Sequence, residues 1–220
     1  MPKRKLSVSA ADYLPEKKDL SSLRKASQGC KGCDLYKGAT QAVFGEGPAR
    51  AEVLIVGTMP GDQEDKQGRP FVGPAGRLLD KALEEAGIDR SLVYITNAVK
   101  HFKFVRKGSY RLHRNPGGLE MRACRPWLDS EVQAIKPKVI VGLGTLAGES
   151  LLDRKITLKE YRGRELESIY GIPAYLTTHP SALLRMRGAG GDYEAEYKRF
   201  VSELSSAWST VQKAEMRQAA

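Results

Sequence analysis

Cysteine and histidine are scarce in this chain, with three of each among 220 residues. An odd number of thiols, with no apolar run behind the basic opening MPKRKLSVSA, speaks against a disulfide framework and a secretory leader. A metal or cluster site is then the better use of a close pair such as Cys30 and Cys33. No stretch approaches the ~18 apolar residues of a membrane span, so a cytoplasmic protein with no membrane partner is expected. Internal repeats are missing. So are Gly-x-Gly-x-x-Gly and Gly-Lys-Ser/Thr, and three acids (Asp62, Glu64, Asp65) crowd the loop where a phosphate cradle would lie, which argues against a bound nucleoside triphosphate.

Positive charge is plentiful. The formal net charge is +10, which favours an anionic partner, nucleic acid being the commonest. Residues 1–18 mix Lys, Ser, Pro and Glu without apolar periodicity and read as a flexible basic tail. Residues 19–208 read as one domain, and 209–220 as a frayed end.

The organising stretch is 53–76, VLIVGTMPGDQEDKQGRPFVGPAG. Its short β-branched run predicts a buried central strand ending at Gly57. Pro60-Gly61 sets a turn, and Pro70 helps hold Phe71 in a Gly-flanked loop, where its ring either stacks on a planar ligand or fills core beneath the loop. A helix follows from Pro74 to Gly87, then a second strand, 92–95, presenting Thr96-Asn97-Ala98-Val99-Lys100-His101. The next stretch, HFKFVRKGSYRLHRNPGG, reads as an irregular loop rich in cations: Lys103, Arg106, Lys107, Arg111 and Arg114. A helix over 119–135 carries Cys124, a third strand spans 138–143, and a fourth, 172–178, ends at His179. A long amphipathic helix closes the chain. The pattern predicts a three-layer α/β/α fold around a short, mostly parallel four-stranded sheet, with the Thr58–Phe71 loop, Asn97 and His179 meeting at one sheet edge.

Three signatures, GTMPG…EDKQGRPFVGPAG, TNAVK and HPSALLR, together resemble the uracil-DNA glycosylase superfamily over about 27–208. The GRPFVGPAG continuation, the Cys30/Cys33 pair and ACRPWL resemble its family 4, and the basic insert ending in RLHRNP is similar to the loop of UdgX, a relative that traps uracil-DNA covalently. The resemblance implies that Phe71 stacks on uracil, that Asn97 reads its N3–H and O4, that His179 hydrogen-bonds O2, and that backbone donors near Met59 assist. Leu183, with Leu184 and Arg185 beside it, would fill the vacated base stack. Where the family places a Glu, this chain has Thr58, which leaves hydrolytic turnover open to question. His113 in the insert offers another nucleophile, with Asp62 or Asp65 to orient it and Glu64 in a solvating role; the plainer reading makes His113 a phosphate contact. The resemblance further implies a [4Fe-4S] cluster on Cys30, Cys33, His101 and Cys124, for which zinc is the alternative by ligand type and a buried free Cys124 with an exposed pair is the bland one.

The expected function is uracil excision with covalent capture of the sugar by His113. The expected partner is uracil-containing DNA, single-stranded preferred or accepted, met by a monomer. The rivals are a hydrolytic family 4 glycosylase and a catalytically weakened uracil-DNA binding protein.

Overall fold

Apolar runs that do not alternate are buried on both faces of a sheet, and four such runs form the parallel centre of this protein. The structure, a computed structural model, describes residues 9–188 and 192–219. In chain order these form α1 (Leu20–Ser27), β1 (Val53–Gly57), α2 (Asp62–Gln67), α3 (Pro74–Glu85), β2 (Val93–Asn97), β3 (Phe104–Lys107), β4 (Tyr110–His113), α4 (Gly118–Ile135), β5 (Val139–Leu143), α5 (Thr145–Leu152), α6 (Leu158–Tyr161), β6 (Glu165–Glu167), β7 (Pro173–Thr177), α7 (Pro180–Gly188) and α8 (Tyr193–Ala219).

The main sheet runs β2-β1-β5-β7-β6, with the first four parallel and β6 antiparallel to β7. The four expected strands are there, but the sheet has five. The fifth, β6, leaves no apolar run in the sequence because it is three residues long, with exposed acids either side of Leu166.

Alternate residues of β1 serve opposite layers. Val53 and Ile55 join Leu79, Leu83, Phe200 and Leu204 of α3 and α8, while Leu54 and Val56 join Leu128, Val132 and Leu151 of α4 and α5. A third cluster docks the N-terminal segment on α4, using Ala10, Leu23, Cys30, Phe44, Cys124 and Trp127.

Within the described residues, parts of both segments read as tails pack onto the domain. A 3-10 turn over Ala10–Tyr13 buries Ala10 completely, and α8 buries Val211 completely within the region read as frayed. Residues 1–8 of the expected basic tail lie outside the described residues. The insert read as irregular is instead a β-hairpin, β3–β4, whose two-residue turn has Gly108 at φ +59, the first turn position that type II′ hairpins reserve for glycine.

Candidate active site at the carboxyl ends of the strands

Parallel strands bring their carboxyl ends to one edge, and here β1, β2, β5 and β7 deliver Thr58, Asn97, Gly144 and His179 to the rim of a cavity of about 760 Å³. Met59, Glu64, Phe71, His113 and Arg185 also line it. Sequence elements 86 residues apart, Met59 and Thr145, thus share one wall, as expected for ligand sites in open α/β sheets.

Phe71 has φ +54, unusual for a bulky residue, and two glycines make that conformation possible. A Cβ on Gly76 would stand 1.6 Å from the Phe71 carbonyl oxygen, and one on Gly57 would stand 2.7 Å from the Phe71 ring. The ring lies near-parallel to His179, with centroids 5.9 Å apart. Glu64 braces the loop from both ends, accepting from Gly61 N at 3.1 Å and from Gly73 N at 2.8 Å. Its expected solvating role is therefore corrected to a structural one. Among the described cavity-lining residues it carries the one carboxylate, and both of its oxygens are engaged.

Asn97 is 2% exposed, and its Oδ1 has no hydrogen-bond partner. A buried acceptor without a donor costs ~1–3 kcal/mol, so this one is poised for a ligand N–H. Behind it lies a buried network absent from the sequence reading. Lys100 Nζ donates to Asn97 O at 2.7 Å, Thr96 Oγ1 at 2.7 Å and Glu131 Oε2 at 2.5 Å. Glu131 also accepts from Gly45 N at 3.1 Å and Tyr94 OH at 3.0 Å. Glu131 had a detectable signal: it falls on the Cys124-Trp127-Leu128-Val132-Ile135 stripe of α4, where an acid needs a partner.

His179 Nδ1 accepts from Ser181 N at 3.1 Å and lies 2.9 Å from Ser181 Oγ. A backbone N–H can only donate, so the neutral ring carries its proton on Nε2. Burial first, then Arg185 and His113, lowers the His179 pKa to about 4. His113 ends β4 at the cavity rim, its ring 6.0 Å from that of Phe102, and burial followed by Arg185 lowers its pKa as well. Both shifts favour the neutral imidazole.

Asp62 and Asp65 do not orient His113 directly and do not line the cavity, which corrects their expected catalytic role. Both bind Arg111, two residues before His113: Asp62 Oδ1 to Nε at 2.5 Å and Asp65 Oδ2 to Nη1 at 2.6 Å. Asp65 is fully buried and also accepts from Thr40 N and Oγ1. Arg111 further lies over the Phe102 and Phe104 rings. The guanidinium is a latch that seats the hairpin, not a free phosphate contact. Lys103 is likewise paired, with Glu120 at 2.7 Å. Arg106, Lys107 and Arg114 are exposed and have no acidic partner among the described residues. Leu183 is fully buried against the α8 layer, so it cannot enter a base stack; Leu184 is half-buried and Arg185 exposed.

The three thiols converge on the third core cluster. Cys30 Sγ accepts from Trp127 Nε1 at 3.3 Å and Gly32 N at 3.5 Å, and Cys124 Sγ accepts from Lys100 N at 3.2 Å. Burial pushes the Cys124 thiol up to about 12, and the neighbouring Cys33 and Cys30 add to the shift. His101 is 4% exposed and lies between Val99 and Phe102 of the same cluster. Among the described residues no three His, Cys, Asp or Glu groups are set to hold a single metal ion. The donor set and the N–H groups aimed at sulfur suit a cluster, whose thiolates are tuned by such bonds.

The family model for the Uracil DNA glycosylase superfamily matches residues 44–205. The type-4 uracil-DNA glycosylase of Thermotoga maritima is 40% identical over 159 residues, covering 72% of this chain and 79% of the relative. That of Pyrobaculum aerophilum is 36% identical over 189 residues, covering 83% and 93%. That of Sulfurisphaera tokodaii is 35% identical over 194 residues, covering 84% of each. The strand-end cavity and a match running from Phe44 into α8 coincide, and the chain belongs to the uracil-DNA glycosylase superfamily, where it is family 4-like.

Proposed function

We propose that the protein excises uracil from DNA and that His113 captures the sugar left behind. The observation that carries the reading is the convergence on one cavity of the partnerless Asn97 Oδ1, the Nε2–H of His179 and the Phe71 ring. Uracil presents an N3–H donor, an O2 acceptor and a flat face. Asn97 Oδ1 accepts from N3–H and its amide donates to O4; cytosine offers the reverse pattern. His179 donates to O2, where negative charge accumulates as the C1′–N1 bond breaks, so this bond strengthens toward the transition state. A neutral imidazole with a low pKa does this without surrendering its proton.

The electron pair of the broken bond leaves with uracil. A lone pair on a His113 ring nitrogen then forms a bond to C1′, and the proton on the other ring nitrogen passes to solvent or to the departing uracil anion. Thr58 cannot activate water, and Glu64 is already engaged by two amides; both features support capture over hydrolysis. Leu184 and Arg185 take the wedge position that the buried Leu183 cannot. Arg106, Lys107 and Arg114 face the DNA backbone.

Cys30, Cys33, Cys124 and His101 would hold a [4Fe-4S] cluster, which when bound serves as a structural tie between the N-terminal segment and α4. The test of the function mixes the protein with labelled single-stranded DNA bearing one uracil and runs a denaturing gel. A uracil-dependent, heat-stable shifted band that disappears with His113→Ser is expected. Strand scission after alkali without that band would overturn capture and leave hydrolysis, and neither signal would overturn excision itself.

A further inference from the structure

We propose that the outward face of the β3–β4 hairpin is a stacking surface for an unpaired nucleotide next to the uracil; the proposal rests on the DNA reading above. Cross-strand partners of a ribbon share a face. The register pairs Phe104 with His113 and Arg106 with Arg111 on one face, and Val105 with Leu112 and Lys107 with Tyr110 on the other. The first face is seated: Arg111 is latched to α2, Phe104 lies 5.2 Å from Phe102, and His113 reaches the cavity. Among the described residues nothing covers the second. Val105 is 42% exposed, Leu112 41% and Tyr110 73%.

A ribbon of four-residue strands with one solvated face ordinarily carries polar residues there. Here it carries half of the large exposed hydrophobics among the described residues. The ring of Tyr110 stands beside the turn, and Lys107 is its cross-strand neighbour.

Charge selects the occupant. No Asp or Glu occurs between Asp89 and Glu120, and Lys107, on the apolar face itself, and Arg114, just past its end, have no acidic partners among the described residues. A basic rim around an aromatic and aliphatic face is the chemistry that holds single-stranded nucleic acid, where the backbone meets cations and a base lies on a ring. In a duplex the base faces are hidden by stacking, so the same surface would have only phosphates to meet. Because β4 ends on His113 at the cavity rim, the ribbon that carries this face borders the site where the uracil would enter.

The test measures binding of the full-length protein, by fluorescence anisotropy, to three labelled probes: a single strand with one uracil, the same strand with thymine, and a uracil-containing duplex. Loss of one base stack is worth ~1–3 kcal/mol. Tyr110→Ala should therefore weaken both single strands about 10-fold and the duplex less than about twofold, while Tyr110→Phe binds all three like the wild type. Tyr110→Trp should keep affinity and add an indole emission that single strands quench and the duplex does not. Equal loss on single strands and duplex would overturn the proposal in favour of a backbone contact, and unchanged single-strand affinity in Tyr110→Ala would overturn it outright. Uracil release by the wild type on the same oligonucleotide reports separately on the glycosylase reading. If that fails while Tyr110→Ala still loses single strands, the function is wrong and the stacking surface stands.

Discussion

Replacing Lys100 by methionine removes one member of a pair whose two side chains are both fully buried. Methionine nearly matches the aliphatic stem, so packing is largely kept and the loss is electrostatic. Glu131 stays buried with only Gly45 N–H, Tyr94 OH and Thr96 Oγ1 as donors. An uncompensated buried charge costs ~3–5 kcal/mol, a large share of the ~5–15 kcal/mol by which a typical domain is stable. At ~2–4 °C per kcal/mol for a chain of this size, Tm should fall by roughly 6–20 °C. The partner change Glu131→Gln keeps an acceptor for Gly45 N and Tyr94 OH while removing the charge. The double variant should recover most of the loss, which makes the coupling strongly non-additive. Urea denaturation of wild type, both single variants and the double gives the four free energies. Iron content per chain, measured alongside as a readout of the proposed cluster, separates this effect from damage at the neighbouring His101. A cost below about 1 kcal/mol for Lys100→Met, or simple additivity in the cycle, would refute the reasoning. The same variant withdraws the donor from Asn97 O, so uracil release should fall beyond what the unfolded fraction explains, with the loss in kcat/KM measured well below Tm.

Arg111→Leu releases the latch and leaves the fully buried Asp65 with Thr40 as its remaining side-chain partner. Adduct formation should drop by about 100-fold, the typical cost of a misplaced reacting group. The salt dependence of binding should stay unchanged, since Arg111 is already paired; Lys107→Ala or Arg114→Ala should instead lower the salt slope by about 1 each. A shallower slope for Arg111→Leu would show that this guanidinium meets phosphate. The proposed capture needs neutral His113, whose pKa is lowered by burial and by Arg185. Reactivity is therefore full at neutral pH and is lost as pH falls through that lowered value. Arg185→Ala removes one depressing charge, so the acid limb of the single-turnover rate should move to higher pH; an unmoved limb would mean that another group controls it.

The central strands were legible because Val53–Val56 and the runs before Asn97 and His179 are apolar without alternation, a pattern with few other physical solutions. Asn97, Phe71 and His179 could be named because each follows such a strand or sits in a loop bounded by Pro and Gly. The hairpin was not legible. Its strands are four residues long and full of cations, so the Gly108-Ser109 turn between them is not flanked on both sides by the apolar alternation that marks a hairpin. The roles of Asp62 and Asp65 were misread because their partner, Arg111, is 49 and 46 residues away in sequence. Between adjacent Leu183 and Leu184, only the rotation of α7 against α8 decides which side chain is buried.

Local composition and periodicity by themselves determined the layers, the parallel sheet and the edge at which the site forms, because burial of short apolar runs is a near-neighbour property of the chain. The excess of cations likewise pointed to an anionic partner, because net charge is a sum over the chain that needs no contact. Tertiary structure alone decided which charges are spent on one another. It left Asn97 Oδ1 without a partner, fixed the His179 proton on Nε2, enclosed the Lys100–Glu131 pair and turned Tyr110 outward. Hydrogen bonds and ion pairs depend on directions and distances between segments remote in sequence, and no periodicity within a segment encodes them.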